Sequence, residues 1–297
     1  LNFDLDLTET IKVYAQFQDV RFWGQERTTV ASQAPGFDLH QVYAQFGEFP
    51  GIGGTDRIGR QILDYGDARL VGALEWLNQG RSFDGVRHWW VSEDESNQFD
   101  VFFTQINEDS TVFGGSNGGD SDAYFAGLYE RYKYSEQGLI EGYLLYRNTG
   151  ATFVTTGNTT ENRFTVGARW FQGGDDLEFE GEAATQGGDA INGVDIPWLD
   201  TYAIHAHLTW KLGGDLAHYL KAEVDFASGD DPNTVDNERF DQLYPTVHKH
   251  WGMMDFANWE NMAAYSLTYG LRPSERSKLA LSWWYFQSME AGDRFGG

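Results

Sequence analysis

His205 and His207 stand two residues apart, a spacing that puts both side chains on one face of a strand, where a third ligand would complete a transition-metal site. A polar, water-filled surface accounts for the same pair without a metal. Glu178, Glu180 and Glu182 repeat the spacing with carboxylates. Paired carboxylates become a general acid only where an apolar pocket raises one of them, and the neighbours in sequence supply no such pocket. The acidic stretches Gly118-Gly119-Asp120-Ser121-Asp122 and Gly229-Asp230-Asp231 offer hard oxygen ligands for Ca²⁺ without EF-hand spacing, so a solvated loop explains them equally. There is no cysteine, no G-x-S-x-G elbow and no H-E-x-x-H pair. The expectation is a protein that is not an enzyme and holds no resident cofactor, with Ca²⁺ in the acidic loops as a candidate ion beside the metal reading of His205 and His207.

A second set of residues does chemistry only as fixed charge. Arg147, Arg163, Arg169, Lys211, Lys221 and Arg272 fall at alternate positions between apolar side chains. Glu141, Glu178, Glu180, Glu182, Glu223 and Asp225 fall on the same faces. These groups need water, whatever their neighbours need.

The elements that must position them are strands. In 201–211, Tyr202, Ile204, Ala206, Leu208 and Trp210 oppose Thr201, His205, His207, Thr209 and Lys211. The same alternation runs through 163–170, 177–185, 220–226 and 263–272, and more weakly near 9–23, 37–49, 57–65, 82–92, 98–107, 122–134, 139–148 and 277–288, about thirteen segments in all. Long connections near 66–81, 108–121, 149–160, 188–199 and 229–260 alternate with short ones such as 135–138, 172–176 and 273–277. Rings gather at segment ends, as in Trp89-Trp90, Tyr132 with Tyr134, Trp170-Phe171 and Trp283-Trp284-Tyr285-Phe286, where the interfacial girdles of a membrane barrel sit.

Composition agrees. Aromatics make up 16% of the 297 residues, and no run of about 20 apolar residues exists, so a membrane-spanning helix is excluded. The mean hydropathy of -0.50 excludes nothing, because only every second residue of a barrel strand meets lipid. A net charge of -24 excludes a nucleic-acid partner, which needs a surplus of Lys and Arg, and suits acidic surface loops. The fold expected is all-β: residues 1–297 as one antiparallel up-and-down transmembrane β-barrel of about 14–18 strands, with short periplasmic turns and long extracellular loops. A soluble β-sandwich reads alike, with its faces reversed. An odd strand count would leave an open edge that lipid does not tolerate, so the expectation is either that part of the native C-terminus lies outside this chain or that the true number of strands differs from thirteen.

One stretch is more specific than rhythm. From Gln41 the chain reads QVYAQFGEF, then RIGRQILDYGDARLVGALEWLNQGRSFDGVR up to Arg87, and this resembles the signature of alginate-export outer-membrane proteins. The block FDQLYPTVHKHWGMMDFANWENM, residues 240–262, is similar to a long segment of the same family. The resemblance implies a monomeric barrel in the bacterial outer membrane with a charged lumen and long segments that plug or gate it. Position by position, it implies that Arg60, Asp67, Arg69, Arg81, Asp84 and Arg87 lie in or beside a pore constriction. Arginines within strands should in any case point to the lumen, since facing hydrocarbon costs about 2–4 kcal/mol. A lumenal network that braces the wall without touching solute is the alternative for Arg60, Asp67, Arg69 and Asp84. His248, Lys249 and His250 form a candidate loop gate that presents charge at one mouth, against a packed external loop held by Tyr244, Trp251, Phe256 and Trp259.

The function expected is a pore passing anionic solutes, an anionic polysaccharide such as alginate among them, with outer-membrane lipid as its surroundings. Because carboxylates point inward beside the cations, a general or cation-tolerant porin competes with that reading, as does a non-conducting barrel acting as a scaffold or adhesion module.

Overall fold

Side-chain alternation at period two builds one antiparallel meander. The computed structural model describes residues 1–19, 37–47, 53–107, 123–149, 160–252 and 254–295. Among them are fifteen strands: β1 (Asn2–Asp6), β2 (Ile11–Asp19), β3 (Phe37–Gly47), β4 (Thr55–Gln61), β5 (Phe83–Val91), β6 (Asn97–Asn107), β7 (Ala123–Ser135), β8 (Gly138–Thr149), β9 (Glu161–Gln172), β10 (Leu177–Ala190), β11 (Val194–Ile196), β12 (Tyr202–Gly213), β13 (His218–Ala227), β14 (Met262–Ser274) and β15 (Ser277–Gln287). Each strand pairs with the next, except that β10 pairs with both β11 and β12 and β11 makes no other pairing, so β1 and β15 are the edges of the sheet. No helix among the described residues is long and apolar enough to cross a membrane.

All thirteen counted segments are strands; β1, where Leu5-Asp6-Leu7 also reads as strand in the sequence, and β11 lie outside that count. Three residues are too short to display the alternation that revealed the others, and β11 forms by pairing Val194 to Ile196 against 188–190 inside an expected loop. With β1 paired to β2, residue 1 lies at the end of the sheet that carries the long connections. The connections expected over 108–121 and 149–160 lie almost wholly outside the described residues, as does Gly118–Asp122.

The faces settle the orientation of the sheet. Leu208 is 46% exposed, while His205, on the opposite face of β12, is 1% exposed. Phe164, Val166 and Trp170 are exposed on β9, and Arg163, Thr165 and Arg169 are buried. A soluble sandwich hides its apolar face, and this molecule hides its charged one. An apolar outer face around a polar interior is the arrangement of a membrane barrel.

The interior is nevertheless packed. Residues 62–82, between β4 and β5, and 228–261, between β13 and β14, fold inward. Leu63, Tyr65, Leu70, Val71, Phe240, Trp251 and Trp259 join Phe83, Phe102, Phe125, Tyr129, Tyr143 and Leu145 of the inner wall in one apolar cluster. The external packed loop expected around Trp251 and Trp259 is therefore corrected: both indoles are buried inside the sheet's curve, while Phe256 stays half-exposed. The reason is area. Rings that would be solvated outside are removed from water against the lumenal rings, at roughly 25 cal/mol per Å² buried.

Candidate functional site

Register aligns the inward charges of five strands. Across β8, β9, β10, β12 and β13, one transverse row runs Glu141, Arg169, Glu182, His205, Asp225. The neighbouring row runs Glu180, His207, Glu223 over β10, β12 and β13. Like charges side by side on a sheet repel, and burial makes this worse. Arg169 answers this on one side: its guanidinium donates to Glu141 and, at 2.8 Å, to Glu180. β12 and β13 carry no arginine at these rows.

Lys221 of β13 reaches Glu223 at 2.8 Å, and the guanidinium that serves both Glu223 and Asp225 comes from the 62–82 segment. Arg69, with its side chain 1% exposed, donates to Asp225 at 3.2 Å and to Glu223 at 3.3 Å. Its Nη2 also lies 3.0 Å from His205 Nε2. Trp251 and Trp259 of the 228–261 segment lie 5.6 and 5.7 Å from the guanidinium carbon. Burial would lower the Arg69 pKa, but Asp225 and Glu223 outweigh it and raise it, so the group is a permanent cation.

The two inward segments zip together. Val71 and Tyr244 form a parallel bridge, Tyr244 donates its N–H to the Leu70 carbonyl at 2.9 Å, and Gly72 donates to the Tyr244 carbonyl at 2.8 Å. A Cβ on Gly72 would meet Thr246 Oγ1 at 2.3 Å, so only glycine lets them close. Ala68, Leu74, Leu243, Asp255 and Asn261 all have positive φ. Non-glycine residues rarely accept that conformation, and such strain gathers where structure serves function. The Y-G-D-x-R-L-x-G stretch is thereby explained: Tyr65 stacks between Phe102 and Tyr129, Asp67 and Arg69 carry the charges, and Gly72 makes the contact.

The other candidates separate. Lys249 donates to Asp67 at 2.5 Å. Burial pushes the Asp67 pKa up, but the Lys249 and Arg69 charges outweigh it and hold it below the usual carboxylate range. His248 stacks on Trp76 and faces Asp255 at 2.9 Å. His250 is buried, and burial together with the Arg69 charge lowers its pKa well below the ordinary value, so it carries no charge at neutral pH, contrary to expectation. Arg81 donates to the carbonyls of Gly72 and Pro245 and ties the segments together; burial lowers its pKa to about 10. Arg87 faces inward and pairs with Asp100.

Arg60 and Asp84 form a bidentate pair, but not in the lumen. They share a face with Ile58 and Val86, opposite Arg57 and Arg87, and their side chains are 37% and 53% exposed. The placement at a constriction is corrected for both. Pairing explains how an arginine tolerates the outer face, here at the strand end nearest the long connections.

Arg163 and Arg169 are buried and Arg147 is partly buried, and carboxylates hold them: Arg147 by Glu161 and Asp241, Arg163 by Glu161. Lys211, Lys221 and Arg272 instead line a cavity of about 880 Å³, with Lys249, Lys278, Asp67, Glu178, Glu180 and Glu223. Sequence reasoning missed Asp241, which lies in the 228–261 segment yet grips Arg147 of the wall at 2.6 Å, and Arg57, which sits 4.0 Å over Tyr43. The alternation of β4 placed Arg57 opposite Ile58 and could have found it; nothing local announces Asp241. The Gly229-Asp230-Asp231 carboxylates hold their own loop, with Asp230 accepting from the Glu238 N–H and Asp231 from Asn233.

A family model described as alginate export matches residues 1–296. No curated protein matches the chain. Among solved structures, the chain is similar to the outer membrane channel DcaP of Acinetobacter baumannii, at 11% identity and a TM-score of 0.53, over 99% of this chain and 80% of that one. It is also similar to a loop-deleted form of OmpT, an outer membrane protein of Vibrio cholerae, at 12% identity and a TM-score of 0.48, over 98% and 85%. At these identities the likeness concerns the fold.

Proposed function

Because this chain belongs to the alginate-export family and is an outer-membrane pore protein rather than an enzyme, we propose that it passes anionic solutes, polyuronates such as alginate among them, through a lumen that the 62–82 and 228–261 segments gate. The observation that carries the anion preference is the 880 Å³ cavity. Lys211, Lys221, Lys249, Arg272 and Lys278 line it against Asp67, Glu178, Glu180 and Glu223. Those carboxylates already have partners: Lys249 for Asp67, Lys211 for Glu178, Arg169 for Glu180, and Arg69 with Lys221 for Glu223. Arg272 and Lys278 have no ion-pair partner among the described residues, which leaves the cavity a surplus of positive charge. A low-dielectric wall focuses such a surplus on a passing anion.

The barrel of residues 1–297 acts in this reading as one domain and as a monomer. Arg69, Asp67, Arg81 and Arg87 hold or border the gate, and Lys211, Lys221 and Arg272 set selectivity. The test is planar-bilayer conductance in a salt gradient, repeated with oligomannuronate. Anion-preferring steps that the oligomer blocks, and a reversal potential that moves toward cations in Arg272→Glu/Lys278→Glu, are expected. Cation preference in the wild type, or an unchanged reversal potential in the variant, overturns the reading. Tight packing around Arg69 favours one second reading, a closed scaffold, which would show no steps even after Arg69 is replaced.

A further inference from the structure

His205 is oriented as metal-bound histidines are. Its Nδ1 lies 2.8 Å from Asp225 Oδ1, and an ionised carboxylate only accepts, so Nδ1 carries the proton. Nε2 faces Arg69, which only donates, so Nε2 offers its lone pair. A carboxylate fixing one ring nitrogen while the other points at a cation is the second-shell arrangement of metal sites, with a guanidinium in the cation's place. His207 Nδ1 stands 3.1 Å from that same Nε2. Two donors about 2.0–2.1 Å from one tetrahedral ion lie about 3.3 Å apart, so the two imidazoles already have the required bite. Ligand atoms of Glu180, His205 and His207 lie within 4.8 Å of one another. Independently, Glu180 is buried and its Oε1 has no hydrogen-bond partner among the described residues, since Arg169 takes only Oε2.

We infer that Glu180, His205 and His207 form a binding site for a borderline divalent cation of the zinc class, and that this cation competes with the Arg69 guanidinium for the His205 lone pair and the surrounding negative charge. Imidazole and carboxylate donors suit zinc rather than calcium or magnesium. The cavity reaches Glu180, His207 and Glu223, which gives the ion an entry path. Competition is reciprocal: an ion that Arg69 opposes also weakens the hold of Arg69. The inference is independent of which solute crosses the pore, and its test does not involve conduction.

The experiment is equilibrium dialysis of the full refolded chain against zinc chloride. One saturable zinc per chain is expected. Arg69→Gln should tighten it tenfold or more, and His205→Gln/His207→Gln should weaken it tenfold or more. Hydrogen exchange of residues 66–72 should quicken when zinc binds. Lack of saturable binding in both wild type and Arg69→Gln overturns the site, as does wild-type affinity in the double variant; unchanged exchange with zinc bound overturns the competition. Should the double variant fail to refold, Co²⁺ absorption of the wild type decides: intense visible bands of a low-coordinate nitrogen-ligated ion support the site, and a hexa-aquo spectrum sinks it.

Discussion

The inner wall neutralises its buried acids in two ways. Over β8 to β10 the counter-ion belongs to the wall itself: Arg169 bridges Glu141 and Glu180, so the charge is settled once the sheet forms. Over β12 and β13 the acids are Glu223 and Asp225, and their guanidinium arrives from the 62–82 segment 154 and 156 residues away. The first arrangement is a brace. Lys221 of the wall also reaches Glu223, at 2.8 Å, so it is the burial of Asp225 above all that is conditional on where a loop sits, as the proposed gate requires: a loop whose removal exposes charge to water rather than leaving it stranded in a dry interior.

That contrast breaks most sharply at the two arginines. Removing one partner of a buried ion pair costs about 3–5 kcal/mol. In Arg169→Leu the cost falls on the wall, so the sheet's thermal stability should drop with no gain in conductance. In Arg69→Leu the loop can leave and water can reach Glu223 and Asp225, so conductance should rise while heat-modifiable migration on gels persists. Identical behaviour of the two variants would remove the distinction.

Smaller in effect, Gly72→Val should part the two segments, because its Cβ meets Thr246 Oγ1 at 2.3 Å and Ala68 Cβ at 2.8 Å. Overpacking of this kind costs about 1–3 kcal/mol. Protease cleavage within 62–82 should become faster than in the wild type, and equal rates would count against the zip.

Acid should loosen the same segments in two stages. The folded pKa of His250 lies well below its ordinary value, chiefly through burial, so the stability it contributes is present above about pH 6.5 and declines as pH falls below that. Asp67 and Asp241 have folded pKa values held below the carboxylate range. For both, burial opposes the shift and neighbouring cations win, Lys249 and Arg69 for Asp67 and Arg147 for Asp241. Their contribution is present above about pH 4 and is lost as pH falls through the lowered values. Open probability should therefore climb below about pH 6.5 and again below about pH 4; a flat profile from pH 7 to 3 would contradict this. The smallest effect belongs to Lys249→Ala, since an ammonium 52% exposed contributes about 1 kcal/mol or less. A small, salt-sensitive rise in open probability is expected, and a change as large as that of Arg69→Leu would misplace the hub.

The alternation in 201–211 and its companions was enough to assign β12, β9, β10, β13 and β14 and to sort their side chains into an apolar and a polar face, because period two acts on every strand locally, but not to say which face turns inward, since a soluble sandwich alternates alike. The ring-rich ends and alternating connection lengths likewise lay open in the chain. Arg69 was legible as a site residue through the motif around it, but Arg60 and Asp84 were not separable from it, since a motif does not say which wall face its strand positions occupy. The same limit hid Asp241, which meets Arg147 across 94 residues of chain.

Sequence by itself determined the strands, their two unlike faces and the mixture of acids and bases on the polar one. Only the tertiary structure decided which base meets which acid. The register that lines up Glu182, His205 and Asp225, and the inward fold of 62–82 that brings Arg69 to them, are long-range events. Their energy comes from burying rings and charges that no local pattern pairs.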